Sequence, residues 1–251
     1  MIHKKTSTIQ KQCHVEAIEK PTFSAELFIP SGIQLIDRLI GGFKAGDVTY
    51  VYGESPIIHH FPYHLCTNTY MMFRENSVFL DGGSSINPYT IARYAKMYEM
   101  NPGEVLKHVY VSRAFTIYQL SSLIQDHLEP LINEHKPQTL ILDAFPILYN
   151  DSDVIFDEAY TLFNETIQKI NNLTKRYHLV TLITNPMNHW MQSESHATLH
   201  QSLFTTSHEL ICIKQMKHCP RIWLPYHQHA TTVTSGVNGQ LCLQDFGMVF
   251  S

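Results

Sequence analysis

Apolar runs rich in β-branched and aromatic residues recur along the first three quarters of the chain. Runs of this kind, bounded by turn-forming residues, are typical of buried β-strands. Longer stretches between them place apolar residues at helical spacing. The strand-like runs are residues 47–53 (DVTYVYG), 77–83 (SVFLDGG), 108–115 (HVYVSRAF), 139–145 (TLILDAF) and 179–186 (LVTLITNP), and the helical stretches are residues 87–100, 117–135 and 154–177. Because the two kinds alternate, the sequence predicts an α/β fold with βαβ units and a mostly parallel sheet.

The pattern changes after residue 186. Residues 187–207 are polar and aperiodic, and we predict a mobile loop there. The strand-like runs that follow are separated by short turns, so we expect antiparallel strands that extend the sheet. These runs are residues 208–215, 221–227 and 240–250. At the other end, the polar residues 1–22 predict a flexible N-terminal arm, and residues 23–251 predict a single domain.

Composition narrows the class of protein. The chain has 251 residues, 44% of them hydrophobic, which suits a globular domain with a sizeable core. Its net charge of −4 shows no basic excess, so nucleic-acid binding would require a local patch. Five cysteines without a CxxC pair predict free thiols in a reducing compartment. Because no signal peptide or membrane-length apolar run is present, we expect a cytoplasmic location, or a nuclear one in a eukaryote.

Four segments carry a family resemblance. Residues 31–54 (SGIQLIDRLIGGFKAGDVTYVYGE) resemble the entry to the core of RadA/RecA-type recombinases. Residues 80–115, which contain NPGEVLKHVYVSRAF, are similar without gaps to the segment of archaeal RadA and eukaryotic recombinases that follows their second strand. Residues 139–145 resemble the Walker B strand, and residues 182–186 (LITNP) the strand that ends in T-N-Q. The resemblance implies a recombinase paralogue with a RadB-like core in a RecA-like ATPase fold; the KaiC-like ATPases are the alternative family.

The resemblance also locates a phosphate-binding loop, and the loop has lost its chemistry. In the pattern G-x-x-x-x-G-K-[ST], Gly53 is the first glycine and Glu54 follows it. The last three positions hold Ile58, His59 and His60. A branched side chain resists the close backbone approach that a phosphate needs. Neutral imidazoles neither replace the lysine charge nor offer the oxygen ligand that Mg²⁺ prefers.

A second strand indicates the same loss independently. Where these recombinases carry D-T-E-G, whose glutamate polarises the attacking water, the aligned residues begin with Asp81 and place Gly83 at the glutamate position. The Walker B aspartate is present as Asp143, and Pro186 replaces the polar glutamine of the T-N-Q strand. The residues of this vestigial nucleotide site are Gly53, Glu54, Ile58, His59, His60, Asp81, Gly83 and Asp143.

From these losses we expect no catalytic residues and no bound ATP, Mg²⁺ or other metal. The expected function is that of a pseudo-ATPase paralogue in homologous recombination and DNA repair. Its expected partner is an active recombinase or another recombinase paralogue. We expect no association with a membrane. A KaiC-like protein that retains weak nucleotide binding is one alternative.

The other alternative is a module that binds single-stranded DNA. Basic residues interleaved with aromatic ones can bind single strands, and such a patch lies near the C-terminus. The segment after the fifth strand is the DNA-binding region of the family, but residues 186–207 contain no lysine or arginine. The candidate DNA-binding residues are Trp190, Lys214, Lys217, Arg221, Trp223 and Tyr226.

Overall fold

The structure is a computed structural model that describes residues 26–151, 153–186, 194–217 and 220–232. Its strands are β1 (Phe28–Ile29), β2 (Phe43–Lys44), β3 (Val48–Gly53), β4 (Ser77–Asp81), β5 (Val109–Arg113), β6 (Thr139–Asp143), β7 (Val180–Pro186), β8 (Glu209–Gln215), β9 (Pro220–Leu224) and β10 (His229–Thr232). Its α-helices are α1 (Gln34–Ile40), α2 (Phe61–Phe73), α3 (Pro88–Met97), α4 (Pro102–Lys107), α5 (Ile117–Ser122), α6 (Leu128–His135), α7 (Phe156–Tyr177) and α8 (Glu194–Thr206).

Within the described residues, eight strands form the central sheet, in the order β10-β9-β8-β3-β7-β6-β4-β5. The six strands from β8 to β5 are parallel, whereas β9 and β10 are antiparallel additions at one edge. The predicted α/β fold with a mostly parallel sheet and antiparallel C-terminal strands is therefore confirmed. The predicted arm (1–22) and the run 240–250 lie outside the described residues.

Strand β3 lies between β7 and β8 and is buried along its whole length. Val48, Tyr50 and Tyr52 point to one face of the sheet, where they join an apolar cluster with α5, α6, α7 and α8. Val51 belongs to a second cluster on the other face, formed with α1 and α2. Because helices cover both faces, the central strands read as continuous apolar runs rather than alternating ones.

One predicted helix is shorter than expected and another is divided. The helix predicted over 87–100 ends at Met97, and a further helix, which was not predicted, begins at Pro102, a residue suited to a first helical position. Asn101 caps this second helix, since its side chain accepts a hydrogen bond from the Gly103 amide at 2.8 Å. Within the stretch 117–135, a π-helical turn separates α5 from α6.

The prediction of a loop over residues 187–207 is wrong for its larger part, because α8 occupies Glu194–Thr206. Leu199 and Leu203 are fully buried and lie one helical turn apart. His200 is also buried, so a residue counted as polar belongs to the packed face. The helical pattern was missed because its apolar positions include a histidine.

A single truncation tests whether α8 packs as a helix. Replacing Leu203 by alanine should lower the free energy of unfolding by about 2–5 kcal/mol, because it leaves a cavity against the sheet. The exposed neighbour Gln201 is the matched control, and its replacement by alanine should change stability by less than about 0.5 kcal/mol. Urea unfolding measures both. Equal, small effects at the two positions would show that α8 is not part of the core.

Candidate functional site

The turn after β3 begins as predicted, but its glycine is required by a neighbouring strand. Gly53 has a φ of 132°, and a Cβ placed there would lie 2.1 Å from the carbonyl oxygen of Ile213 on β8. The next amide, that of Glu54, donates a hydrogen bond to the same oxygen at 3.0 Å. The Glu54 side chain itself is exposed. The backbone of Gly53 and Glu54 is thus packed against β8 and hydrogen-bonded to it.

The rest of the predicted phosphate loop is a short 3₁₀ helix, Pro56–His60, that leads directly into α2. Ile57 and Ile58 are 3% and 0% exposed, and both belong to the apolar cluster on the α2 face. The Ile58 amide donates to the Ser55 carbonyl at 3.1 Å. A phosphate loop instead directs free amides at the ligand around a residue without a side chain. Ile58 therefore occupies the glycine position as a core residue.

The two histidines that follow have separate surroundings. His60 Nδ1 lies 2.7 Å from the Tyr94 hydroxyl. Burial lowers the pKa of His60, and the nearby Arg93 and His59 lower it further, so His60 is neutral at pH 7. His59 is half-buried and lies near Asp143. Burial raises the pKa of Asp143, and the electrostatic effect of His59 opposes part of that rise. Neither imidazole supplies the permanent charge of a phosphate-binding lysine.

Asp143, the predicted Walker B carboxylate, is tied into an internal network. Its Oδ1 accepts a hydrogen bond from the Thr184 hydroxyl and its Oδ2 one from the Ser85 hydroxyl, both at 2.6 Å. Burial raises the pKa of the Asp143 carboxyl, although these two bonds and His59 oppose the shift. Each carboxylate oxygen thus holds a hydroxyl of the protein.

Asp81 anchors the adjacent loop. It is buried, its Oδ1 accepts from the Ser85 amide at 3.0 Å, and its Oδ2 accepts from the Arg113 Nε at 2.9 Å. Arg113 also makes the ion pair through its second guanidinium nitrogen. Ser85 therefore connects the two aspartates, one through its amide and the other through its hydroxyl.

Gly83, at the position of the catalytic glutamate, has little room for a side chain. A Cβ built there would lie 2.7 Å from the Cβ of Ala144. Ala144 is itself held at a φ of 52°, and its amide donates to the Thr184 hydroxyl at 2.9 Å. A glutamate at position 83 would need this packed backbone to shift.

The structure brings all the predicted residues of the vestigial nucleotide site to the carboxyl ends of β3, β4 and β6. Sequence reasoning missed Ser85, Thr184 and Arg113, which complete the polar network. The position of Thr184 near the end of β7 was the available signal, since side chains at the carboxyl ends of parallel strands converge. A hydroxyl residue alone carries no motif that would single it out.

The predicted DNA-binding residues are brought together only in part. Lys214 and Arg221 are cross-strand partners on β8 and β9, and Trp223 lies on the same face of β9. Lys217 is exposed beyond the end of β8. The Tyr226 hydroxyl donates to the Phe204 and Ser207 carbonyls at 2.7 and 3.2 Å, so Tyr226 is fastened to the end of α8. Trp190 lies outside the described residues.

The mostly parallel α/β sheet, with a strand–turn–helix at β3 and an acidic residue at the end of β4 and of β6, has the architecture of a RecA-like core. The family model named Rad51 matches residues 24–205, more than half of the 251-residue chain. The chain therefore belongs to the Rad51 family, which confirms the resemblance to recombinases and places it among the proteins of recombination and repair. In the described part of the chain, every helix is too short or too polar to cross a membrane.

The core role of Ile58 can be measured by a graded pair of truncations. Ile58→Val should lower the free energy of unfolding by about 0.5–1.5 kcal/mol. Ile58→Ala should lower it by about 2–5 kcal/mol, because it removes more buried apolar surface than the valine does. Chemical denaturation followed by circular dichroism gives both values. If both variants are as stable as the unsubstituted protein, Ile58 is not packed in the core.

From the burial of His200 in α8, we predict that the stability of the protein depends on pH. His200 Nδ1 lies 2.8 Å from the Tyr50 hydroxyl, and burial lowers the pKa of His200 to about 4. The unfolded chain, with a histidine pKa near 6.5, therefore binds the extra proton first, and stability is lost as pH falls from about 6.5 towards 4. Between pH 6.5 and 5.0 the free energy of unfolding of the protein should fall by about 1.5 kcal/mol more than that of a His200→Gln variant. Parallel pH profiles for the two proteins would contradict this.

Proposed function

We propose that this chain is a non-catalytic member of the Rad51 family that acts as an accessory partner of an active recombinase in DNA repair. The observation that carries the proposal is the complete burial of Ile58 at the position where a phosphate loop needs a glycine. Family membership supplies the recombinase context. The loss of nucleotide chemistry supplies the accessory role.

Phosphate binding would require the 3₁₀ turn to open. Moving Ile57 and Ile58 out of the core would cost about 1.5–3 kcal/mol for each side chain before any phosphate contact formed. The lysine that would repay such a cost through its charge is replaced by His59. ATP is therefore not expected to bind with useful affinity.

Metal binding and water activation are opposed by separate features. A Mg²⁺ ion, or a water bound to it, would have to compete with the Ser85 and Thr184 hydroxyls for the oxygens of Asp143. The position of the general base is Gly83, which has no proton acceptor in its side chain. The residues present do not fit Mg·ATP.

An accessory role requires a surface for a partner, and the fold offers exposed apolar side chains. Phe115 and Tyr118, which follow the edge strand β5, are 65% and 50% exposed, and Ile155 before α7 is 72% exposed. Large exposed apolar side chains are frequent at protein–protein contacts. Their presence supports a chain that works within an assembly.

DNA binding through the C-terminal patch has weaker support. Lys214, Arg221 and Trp223 do share one face, but Tyr226 is fastened to α8 and the net charge of the chain is −4. Affinity for nucleic acid grows with the number of phosphates neutralised. Two neighbouring cations are too few to make this patch the primary function.

Association with the active recombinase of the same organism tests the proposal. Sedimentation velocity should show a complex of the two purified proteins, and a His59→Ala variant should bind with an affinity within about twofold of the unsubstituted chain, because His59 has no phosphate to hold. An unrelated ATPase of similar size is the control partner. A deletion strain should be sensitive to double-strand breaks, and the His59→Ala variant should rescue it.

Two outcomes would overturn the proposal. One is that neither the active recombinase nor any paralogue binds and the deletion strain repairs breaks normally. The other is phosphate release from ATP by the purified chain that disappears in the His59→Ala variant.

A further inference from the structure

The outer strands of the sheet leave one face open. On one side of β8 and β9, Ile211, Ile213, Ile222 and Leu224 are buried in the cluster that includes α1 and α2. On the opposite side, Leu210 is buried in the cluster that includes α8, whereas Cys212, Lys214, Arg221 and Trp223 are half-buried or exposed. Between α8 and this open face is a recess that we call the edge groove. Its lining residues include Tyr52, Glu54, Phe204, Cys212, Lys214 and Trp223.

The walls of the edge groove are aromatic and held in place. The rings of Tyr52 and Phe204 meet edge to face with centroids 5.1 Å apart, and His200 lies 4.2 Å from Phe204. Trp223, on the opposite wall, is 49% exposed. The groove encloses about 330 Å³, enough for one bulky apolar side chain. Aromatic side chains that are half exposed to water are typical of a surface that a partner covers.

The charges beside the groove are also unbalanced. Lys214 and Arg221 stand directly opposite each other on β8 and β9, and both are exposed. Like charges in this relation destabilise a sheet. Neither side chain forms an ion pair with any residue of the described ranges. An anion placed between the two would remove the repulsion.

We propose that the edge groove binds a short acidic segment of a partner protein, with a bulky apolar side chain between Trp223 and Phe204 and a carboxylate over Lys214 and Arg221. This inference rests on the proposed accessory function and identifies the chemistry of one contact. His200 also lines the groove, and its Nε2 has no hydrogen-bond partner among the described residues.

The register of β8 and β9 fixes the spacing within that segment. The pair Lys214–Arg221 lies two residues along the strands from the pair Cys212–Trp223. Two residues of a strand span about 7 Å, which is also the distance between alternate residues of an extended peptide. The apolar and acidic side chains of the partner should therefore be two positions apart.

The same observations favour a peptide over nucleic acid. A nucleobase would stack on Trp223 equally well, but Glu54, which lines the groove, repels the repeated charges of a phosphate chain. Glu54 repels a carboxylate too, so the partner's segment should carry a single carboxylate, placed over the Lys214–Arg221 pair rather than beside Glu54.

Selection of random linear peptides displayed on phage tests the inference on the full chain. The targets are the unsubstituted protein, a Trp223→Ser variant and a Lys214→Glu/Arg221→Glu double variant. Tyr89→Ser and Lys96→Glu are matched controls, because Tyr89 is 85% exposed and Lys96 is also exposed, both on α3. We expect enrichment of an acidic and a bulky apolar residue two positions apart on the unsubstituted and control proteins, and loss of that enrichment on the two groove variants.

A measurement on the folded protein guards against variants that fail to fold. The chain has two tryptophans, so a Trp190→Phe substitution leaves Trp223 as the single one. A selected peptide should change the Trp223 fluorescence and should bind at least about tenfold more weakly when its acidic residue is replaced by lysine. Enrichment of basic peptides, enrichment that survives both groove variants, or tighter binding of oligo(dT) than of any selected peptide would overturn the inference.

The outcome is separable from that of the proposed function. If the recombinase binds the unsubstituted chain and both groove variants equally, the accessory role stands and the edge groove is not the contact. If acidic peptides are selected but no recombinase or paralogue binds, the groove is a peptide site and the accessory function is wrong.

Discussion

The interaction on which the rest of the site depends is the packing of Ile58 into the core beneath β3. A phosphate loop keeps its backbone bare so that several amides can converge on one anion. Here the Ile58 side chain packs in the apolar cluster of α1 and α2, and the Ile58 amide donates a hydrogen bond within the turn. The start of α2 and the position of His59 both follow from that turn.

The polar groups at the carboxyl ends of β4, β6 and β7 hydrogen-bond to one another. Ser85 links Asp81 to Asp143, and Thr184 accepts from the Ala144 amide while donating to Asp143. These bonds connect the ends of β4, β6 and β7. A buried carboxylate that lost these partners would carry the full cost of desolvation. The network thus stabilises this edge of the sheet.

Most of the fold was predictable from the sequence, because five apolar runs and the helices between them follow standard periods. The exception, α8, has a buried face that includes His200, and a histidine inside a packed face cannot be distinguished in sequence from a solvated one. At the site, the sequence shows Ile58, His59 and His60 where the resemblance places the glycine, lysine and hydroxyl residue of a phosphate loop, and the loss of nucleotide binding stays a prediction. The sequence did not show that Ile58 is a core residue, nor that Ser85 and Thr184 each donate a hydrogen bond to Asp143, since such contacts depend on which strands are neighbours. Likewise, the pairing of Lys214 with Arg221 appears only when β8 and β9 are in register.

The central claim is that the loop after β3 no longer receives a nucleotide. Isothermal titration of the purified chain with Mg·ATP tests it most directly, with an active Rad51-family recombinase as the positive control. The account predicts no saturable heat at ligand concentrations up to about 1 mM, that is, a binding free energy weaker than about −4 kcal/mol. Saturable binding in the micromolar range would contradict it, because the loop would then have to open around a phosphate despite the burial of Ile58.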